Sequence, residues 1–465
     1  VSPPTASWAS LLVQVVTITL GTVLYALSLH WVYAHLITVP FAYAGFTYRA
    51  AAPQLTIATL IFVCAVAVSL PARPQRVSHV VLWVLFVVGV APAMLMVAYT
   101  GYLGEREAAV ASATIGLAFG TATVGTRVLD ARAATTGHVV ASSSSAAGPT
   151  AQPHRRFAPG TAFWAICGLH SALTYGVMAA TTGLSLRFVA LADVYDVRAV
   201  YKEEVQGGSG LLGYLLSGQA NVVNTAIMAR GITSRNVPLI AAGVIGQLVL
   251  YSGTGFKTIL FSFPAVLVIA FATQVSGGRA RAAGLAYVVA PVALMVVAAV
   301  ADELQGGIVW TSLFARRFLI TPGVLTSAYV NFFGEHPPAV WGRSFLRWWV
   351  DSPYDRSIAL EVGQYLQPGG ALAANANLFA DGFANLGHVG VIGTGVALLA
   401  FLRFVDRTAR DLPLAVAAMV MVMPSITLSN TSLPTAMLSH GLALGTLVLA
   451  VAPRSGWSRA RGDTG

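Results

Sequence analysis

Stretches of about twenty apolar residues recur from one end of this chain to the other, and each is long enough to cross a hydrocarbon core of roughly 30 Å as a helix. No other feature restricts the fold so strongly. Only 9% of the 465 residues are charged, against about a quarter in ordinary globular proteins, so a water-exposed surface cannot be built from them. With 56% hydrophobic residues and a mean hydropathy of +0.73, the composition is that of a polytopic membrane protein. Backbone polar groups in lipid must be satisfied within their own segment, so the spans are helices and the fold class is all-α.

Reading apolar runs between charged or Pro/Gly-rich breaks predicts about twelve spans in one transmembrane domain covering 1–465. They lie near 10–36, 54–70, 79–100, 108–125, 161–182, 210–229, 237–252, 258–275, 282–301, 383–402, 413–430 and 434–452. The first run is too long for a signal-peptide core and lacks upstream basic residues, so it is expected to stay as the first span. Cys64 and Cys167 both fall inside apolar runs and read as small core residues, neither a disulfide framework nor a zinc site.

Tallying cations on alternate sides of these spans favours one orientation, with both termini cytoplasmic. That side receives sixteen of the 27 Lys and Arg but four of the 17 acids, leaving eleven cations and thirteen acids outside. The net charge of +10 is thus a topology signal. These arginines are scattered over short loops facing anionic lipid without interleaved aromatic residues, which argues against nucleic acid. The segment 127–160, with its Ser142 to Ser145 run, reads as a disordered cytoplasmic linker. The longest outer segment, 303–382 between spans nine and ten, reads as a large, partly helical extracytoplasmic loop, and loops of that length are usually functional.

Candidate chemistry concentrates on that outer side. Arg316 and Arg317 interrupt an apolar helical pattern, and their guanidinium forks suit a diphosphate, although arginines beside Trp310 also snorkel to interfaces. The run from Pro338 to Val350, with Trp341, Phe345, Trp348 and Trp349 near helical spacing, reads as an interfacial helix. The most polar stretch follows, with Asp355, Arg356, Glu361, Asn375, Asn377, Asp381, Asn385 and His388. Asp381, Asn385 and His388 fall at i, i+4 and i+7 and would share one helix face, with a polar cap as the bland alternative. Arg187, Arg198 and Lys202 bring cations from the loop before span six, where a merely solvated run is the other reading. Gly253-Thr-Gly-Phe-Lys257-Thr departs from a nucleotide-binding loop because Phe256 stands where glycine is needed, so Lys257 reads as a cation at a broken helix. Within the spans, His170, Asn221, Asn224, Gln247 and His440 are expected to hydrogen-bond between helices. No cofactor motif or metal-ligand cluster is visible, so no cofactor or metal is expected.

Asn375-Ala-Asn-Leu-Phe-Ala-Asp-Gly-Phe-Ala-Asn-Leu-Gly-His-Val-Gly-Val-Ile-Gly resembles the stretch that O-antigen polymerases, the Wzy-type oligosaccharide repeat-unit polymerases, place before a late span. Arg316-Arg-Phe-Leu-Ile-Thr-Pro-Gly-Val-Leu, Tyr195-Asp-Val-Arg and Gly255-Phe-Lys257 resemble further family segments, in the family's order, over about Leu184 to Arg403. The resemblance implies a metal-independent, inverting glycosyltransferase of surface-polysaccharide biosynthesis. It would join undecaprenyl-diphosphate-linked repeat units at the outer leaflet of a bacterial cytoplasmic membrane, with a chain-length regulator as a possible partner. Arg198, Lys257, Arg316 and Arg317, then Arg187, Lys202 and Arg356, would hold the diphosphate. Asp381 and His388, then Glu361, would take the hydroxyl proton, a role in which a carboxylate needs partial burial to bring its pKa toward working pH. Asn375, Asn377, Asn385, Asp355 and His336 would hold sugar. Polyprenyl-phosphate-sugar-dependent transferases usually carry an acidic pair in the first outer loop, and here 37–53 has no acid. A secondary transporter or lipid-linked glycan flippase stays open as the non-enzymatic alternative. Reporter fusions at residues 145 and 340 are expected to report opposite sides of the membrane, and matching locations overturn the charge tally.

Overall fold

The structure is a computed structural model and describes residues 8–143, 159–181, 183–186, 211–277, 284–344, 346–370, 372–455 and 457. Among these the fold is helical, with no strand. In chain order the helices are α1 (Trp8–Ile37), α2 (Pro53–Ser69), α3 (Val77–Met96), α4 (Glu105–Ser143), α5 (Pro159–Thr181), α6 (211–234), α7 (Val237–Thr254) and α8 (Lys257–Gly277). They continue with α9 (Gly284–Gln305), α10 (309–335), α11 (Ile358–Leu366), α12 (Leu378–Thr408), α13 (Leu414–Thr427), α14 (Leu433–Ser439) and α15 (Leu442–Val451).

Seven of these, α1, α3, α4, α5, α7, α9 and α12, are long and apolar enough to cross a membrane, and an eighth is added if α14 and α15, bent by 61°, count as one. The expected spans near 54–70, 258–275 and 413–430 coincide with shorter apolar helices. The one near 210–229 is divided by a π turn at Gln219–Val223. The expected linker 127–160 is helical in its first half, because α4 runs on to Ser143. Its alanine-rich continuation past Arg132 meets no proline there, and residues 144–158 lie outside the described part.

The centre of the bundle is α3, apolar on every side and correspondingly buried all round. A file of rings, Trp83, Phe86, Phe119 and Phe379, ties α3 to α4 and α12 with centroids 6.0 to 6.4 Å apart. Of the polar residues expected to bond between helices, His170, Asn221, Asn224 and Gln247 do so. Gln219 meets His170 at 2.9 Å and donates to Ser171 and Asn224. Asn224 donates to Gln247, and Gln247 to Ser262. Asn221 reaches the His440 carbonyl at 3.1 Å, which anchors α6 to the break between α14 and α15.

Charged residues gather at the ends. At one end Asp130 of α4 accepts from Arg76 at 3.2 Å, Arg403 at 2.7 Å and His79 at 3.1 Å, while Asp406 caps α3 through the backbone and hydroxyl of Ser78. Arg127 and Arg454 bond the carbonyls of Ser69 and Thr408 nearby. The charge tally had placed all of these residues on one side.

Two parts of the expected outer loop depart from the sequence reading. Val309 to Glu335 is helix packed into the body, with Gly323 so close to Pro92 and Met96 of α3 that a Cβ would overlap both. In the tryptophan-rich run, residues 340–344 and 346–349 form turns in place of an interfacial helix. Val340 and Trp341 take φ of 44° and 53°, a left-handed conformation that no α-helix accommodates. Trp348 and Trp349 stay exposed.

The helix α12 is broken at Leu386 and Gly387. The chain doubles back there: a Cβ on Gly390 would lie 2.0 Å from the Gly382 carbonyl oxygen, whereas eight residues of straight helix would separate the two by about 12 Å. Gly390→Ala is therefore expected to lower stability by about 1–3 kcal/mol through overpacking. Gly393→Ala, where a Cβ meets nothing, should be neutral or stabilising by about 0.5–1 kcal/mol. Thermal unfolding of the two variants in detergent checks the contrast.

Candidate functional site

The corner between α9 and α10 is fixed by Asp302. Its carboxylate accepts the backbone N–H groups of Trp310 at 2.8 Å and Thr311 at 2.7 Å, satisfying two donors that a helix start leaves open. From there Ser312–Ile320 forms a π-helical stretch that packs on both α1 and α9. Arg316 in this stretch donates through Nε and Nη2 to the Ser312 hydroxyl at 3.0 and 2.9 Å. Its guanidinium lies 4.0 Å from the Phe41 ring centroid and 5.6 Å from that of Phe46, in cation–π geometry. The helices α1 and α9 flank an apolar groove of about 400 Å³ lined by Leu27, Trp31, Val32, Met295, Val296 and Val300.

The loop between α1 and α2 forms the neighbouring surface. The Arg49 backbone donates to the Tyr99 carbonyl at 2.8 Å, and its guanidinium bonds the Leu103 carbonyl. The His30 ring stacks on Tyr99 at 4.2 Å and meets the Tyr48 hydroxyl at 3.1 Å. Tyr102 donates to Gly45 at 2.7 Å, and burial, with Tyr365 adding, pushes its phenol up to about 12, so it remains a donor at neutral pH. An aromatic shelf with two cations therefore stands at this end of the molecule. Sequence reasoning missed it because 37–53 was read for the acids it lacks, although Phe41-Ala-Tyr-Ala-Gly-Phe-Thr-Tyr-Arg49 already displayed the aromatic density.

Asp381 sits in the short first limb of α12, half-buried, where the side chains of Trp341 and Asn385 hydrogen-bond it. The turn 338–350 covers this limb: Ala339 donates to Ala384 at 2.8 Å, and the Trp341 backbone to Asn385 Oδ1 at 2.6 Å. Tyr329 of α10 lies alongside; burial first and the Asp381 charge second push its phenol up, and its hydroxyl donates to Ala374 at 2.8 Å. Asp381 thus has the expected partial burial under the tryptophan turn.

Other expected residues are placed differently. The break in α12 separates His388 from Asp381 and Asn385, so the three do not share a helix face; His388 meets Thr114 Oγ1 at 3.1 Å. Asn377 is a buried helix cap, accepting from Phe379 and Ala380 and donating to Pro322 and Thr326, which leaves its amide fully engaged. Asn385 is engaged likewise, donating to the Asp381 carbonyl at 2.7 Å. A sugar would have to displace these bonds, so both amides are framework. Asn375 and Asp355 are exposed. His336 stacks on Phe332 at 4.1 Å. Glu361 begins α11 and accepts from the Arg356 backbone at 3.3 Å, while the Arg356 side chain bonds Gln364. Arg187, Arg198 and Lys202 lie outside the described residues.

Lys257 starts α8 after the left-handed Gly255, as a break between helices requires. However, α8 meets the π stretch through Phe261 against Phe314 and Phe318, whereas Arg316 points to Phe41 and Phe46. Arg316 and Tyr329, beside which Asp381 lies, are thirteen residues apart on α10, roughly 20 Å along it.

No protein family, curated protein or solved structure matches this chain. Asn377→Ala is expected to cost about 1–3 kcal/mol of stability, from a lost cap and unpaired buried groups, and Asn375→Ala almost nothing. Melting temperatures of the two variants in detergent separate the framework amide from the exposed one.

Proposed function

We propose that this chain is a membrane glycosyltransferase that polymerises undecaprenyl-diphosphate-linked repeat units, in the manner of the O-antigen polymerases. In this reading twelve segments lie in a bacterial cytoplasmic membrane, both termini are cytoplasmic, and the Arg316 end faces outward. The observation that carries it is the apolar groove between α1 and α9 together with the arginine-bearing π stretch that packs on both helices. A polyprenyl chain fits an apolar groove, and a guanidinium at its head fits the diphosphate.

The separation between Arg316 and Asp381 suits a substrate longer than one sugar. An acceptor whose own diphosphate rests at Arg316 extends its glycan along α10, and its terminal hydroxyl reaches Asp381. That hydroxyl oxygen bonds to the anomeric carbon of a second lipid-linked unit. The bond from that carbon to the donor's diphosphate breaks, and the hydroxyl proton passes to the Asp381 carboxylate. Arg343, two residues beyond Trp341, and Arg356 are the cations placed to meet the departing diphosphate. Trp341 and Asn385 hold the carboxylate in place.

A second reading, a lipid-linked glycan flippase or secondary transporter, draws on the doubled-back limb of α12 and on the 61° bend between α14 and α15, since broken helices are common in transporters. Purified protein mixed in detergent with lipid-linked repeat units discriminates, because elongation there needs no membrane to cross. Longer glycans are expected. Arg316→Lys should raise the acceptor KM about tenfold with a smaller effect on kcat, because a point charge does not reproduce the fork. Asp381→Asn should lower kcat by roughly 10²–10⁴. Movement of the glycan across intact liposomes with no elongation in detergent would favour the transporter and overturn the polymerase.

A further inference from the structure

At the end opposite the groove, the loop before α3, the last turn of α12 and the start of α13 enclose a cavity of about 330 Å³. Four arginines line it, Arg76, Arg403, Arg407 and Arg410, together with Asp406 and Asp411. The carboxylates do not neutralise the arginines evenly. Asp130 takes Arg76 and Arg403, and both oxygens of Asp406 are occupied by Ser78. Arg407 and Arg410 form no ion pair among the described residues and are exposed at the rim. Asp411, beside them, is exposed in a left-handed turn at φ 66°. The cavity also touches Leu414, the first residue of α13, at the positive end of a helix.

We propose that this cavity binds a phosphate group, and that the phosphate is the headgroup of an anionic membrane phospholipid. Two guanidiniums without an ion pair, Arg407 and Arg410, can grip its oxygens, while Arg76 and Arg403 are balanced by Asp130 and Asp406 and form the fixed inner wall. The lipid source follows from position. The cavity opens where α12 ends and α13 begins, at the boundary of the apolar body; Leu412 and Leu414 in its lining offer an apolar side for an acyl chain, and the exposed Phe404 stands one turn before Arg407. Basic pockets between membrane helices recognise such headgroups. The assignment is independent of the polymerase reading, since it uses no residue of the Arg316 end.

The test is native mass spectrometry of the full chain released from detergent with added phosphatidylglycerol or phosphatidylcholine. One phosphatidylglycerol should be retained at least tenfold more tightly than phosphatidylcholine. The double variant Arg407→Gln, Arg410→Gln should lose that preference by on the order of tenfold. The corresponding double lysine variant should keep most of it, and Arg106→Gln, an exposed arginine outside the cavity, should keep all of it. Equal retention of the two lipids, or an unchanged preference in the glutamine variant, overturns the site. Glycerol 1-phosphate or inorganic phosphate displacing phosphatidylglycerol at equal concentration overturns the lipid source and assigns the cavity to a soluble anion.

Discussion

In a body this apolar, a polar group without a partner is costly, and that cost organises the whole molecule. Gln219, Asn224 and Gln247 form a chain because none of them has water to turn to. Asn377 begins α12 with both ends of its amide engaged, and Asp302 spends both oxygens on the start of α10. The same accounting sorts polar residues by availability. An amide already holding two backbone donors and a neighbouring hydroxyl is scaffold, while exposed arginines without a carboxylate partner are available to a ligand.

Backbone approach supplies the second organising device. Gly382 against Gly390 lets the two limbs of α12 touch, and Gly395 against Ala118 lets α12 lie directly on α4. These contacts put the short limb carrying Asp381 beside α10 and under the turn at Trp341. The π turns act at the same level. The one at Ser312–Ile320 turns Arg316 toward Phe41 and leaves Phe314 and Phe318 facing α8, so adjacent residues serve different neighbours. A cation placed on one side of a helix by sequence spacing alone cannot anticipate that rotation.

Helix positions were legible because apolar length is a local property: the runs near 79–100, 108–125 and 282–301 each became a long apolar helix. The grouping of Arg76, Asp130, Arg403 and Asp406 at one end was legible for a similar reason, since the charge tally depends only on which loops alternate. Properties that depend on tertiary contact were not. Nothing local marks 321–335 as packed helix instead of loop, because its burial comes from Pro92, Met96 and α12. The shared face of Asp381 and His388 failed at Leu386 and Gly387, whose φ of −144° and 59° end the helical phase. Asp381 itself was legible as the acid at the chain's return toward the bundle, but its cover came from turns that an aromatic periodicity had suggested were helix.

Charge placement also bears on what kind of ligand this architecture can recognise. The two ends stand a membrane thickness of roughly 30 Å apart, and salt in the water at each end screens charge over about 8–10 Å, so a guanidinium acts on what approaches its own end. The π stretch that carries Arg316 packs on the two helices flanking an apolar groove, and Arg407 lies one turn after the exposed Phe404. Both sites therefore pair a planar cation with an apolar surface at the end of membrane-length helices, which is the chemical outline of a phosphate carried on a lipid. The difference lies in what surrounds them. The Arg316 end adds stacked aromatic rings and a half-buried carboxylate roughly 20 Å away along α10, which is what the proposed polymerase would need to hold and extend a glycan. The Arg407 end adds only carboxylates already committed to the fold or exposed beside it, so it can hold a headgroup but has no group placed to transform one.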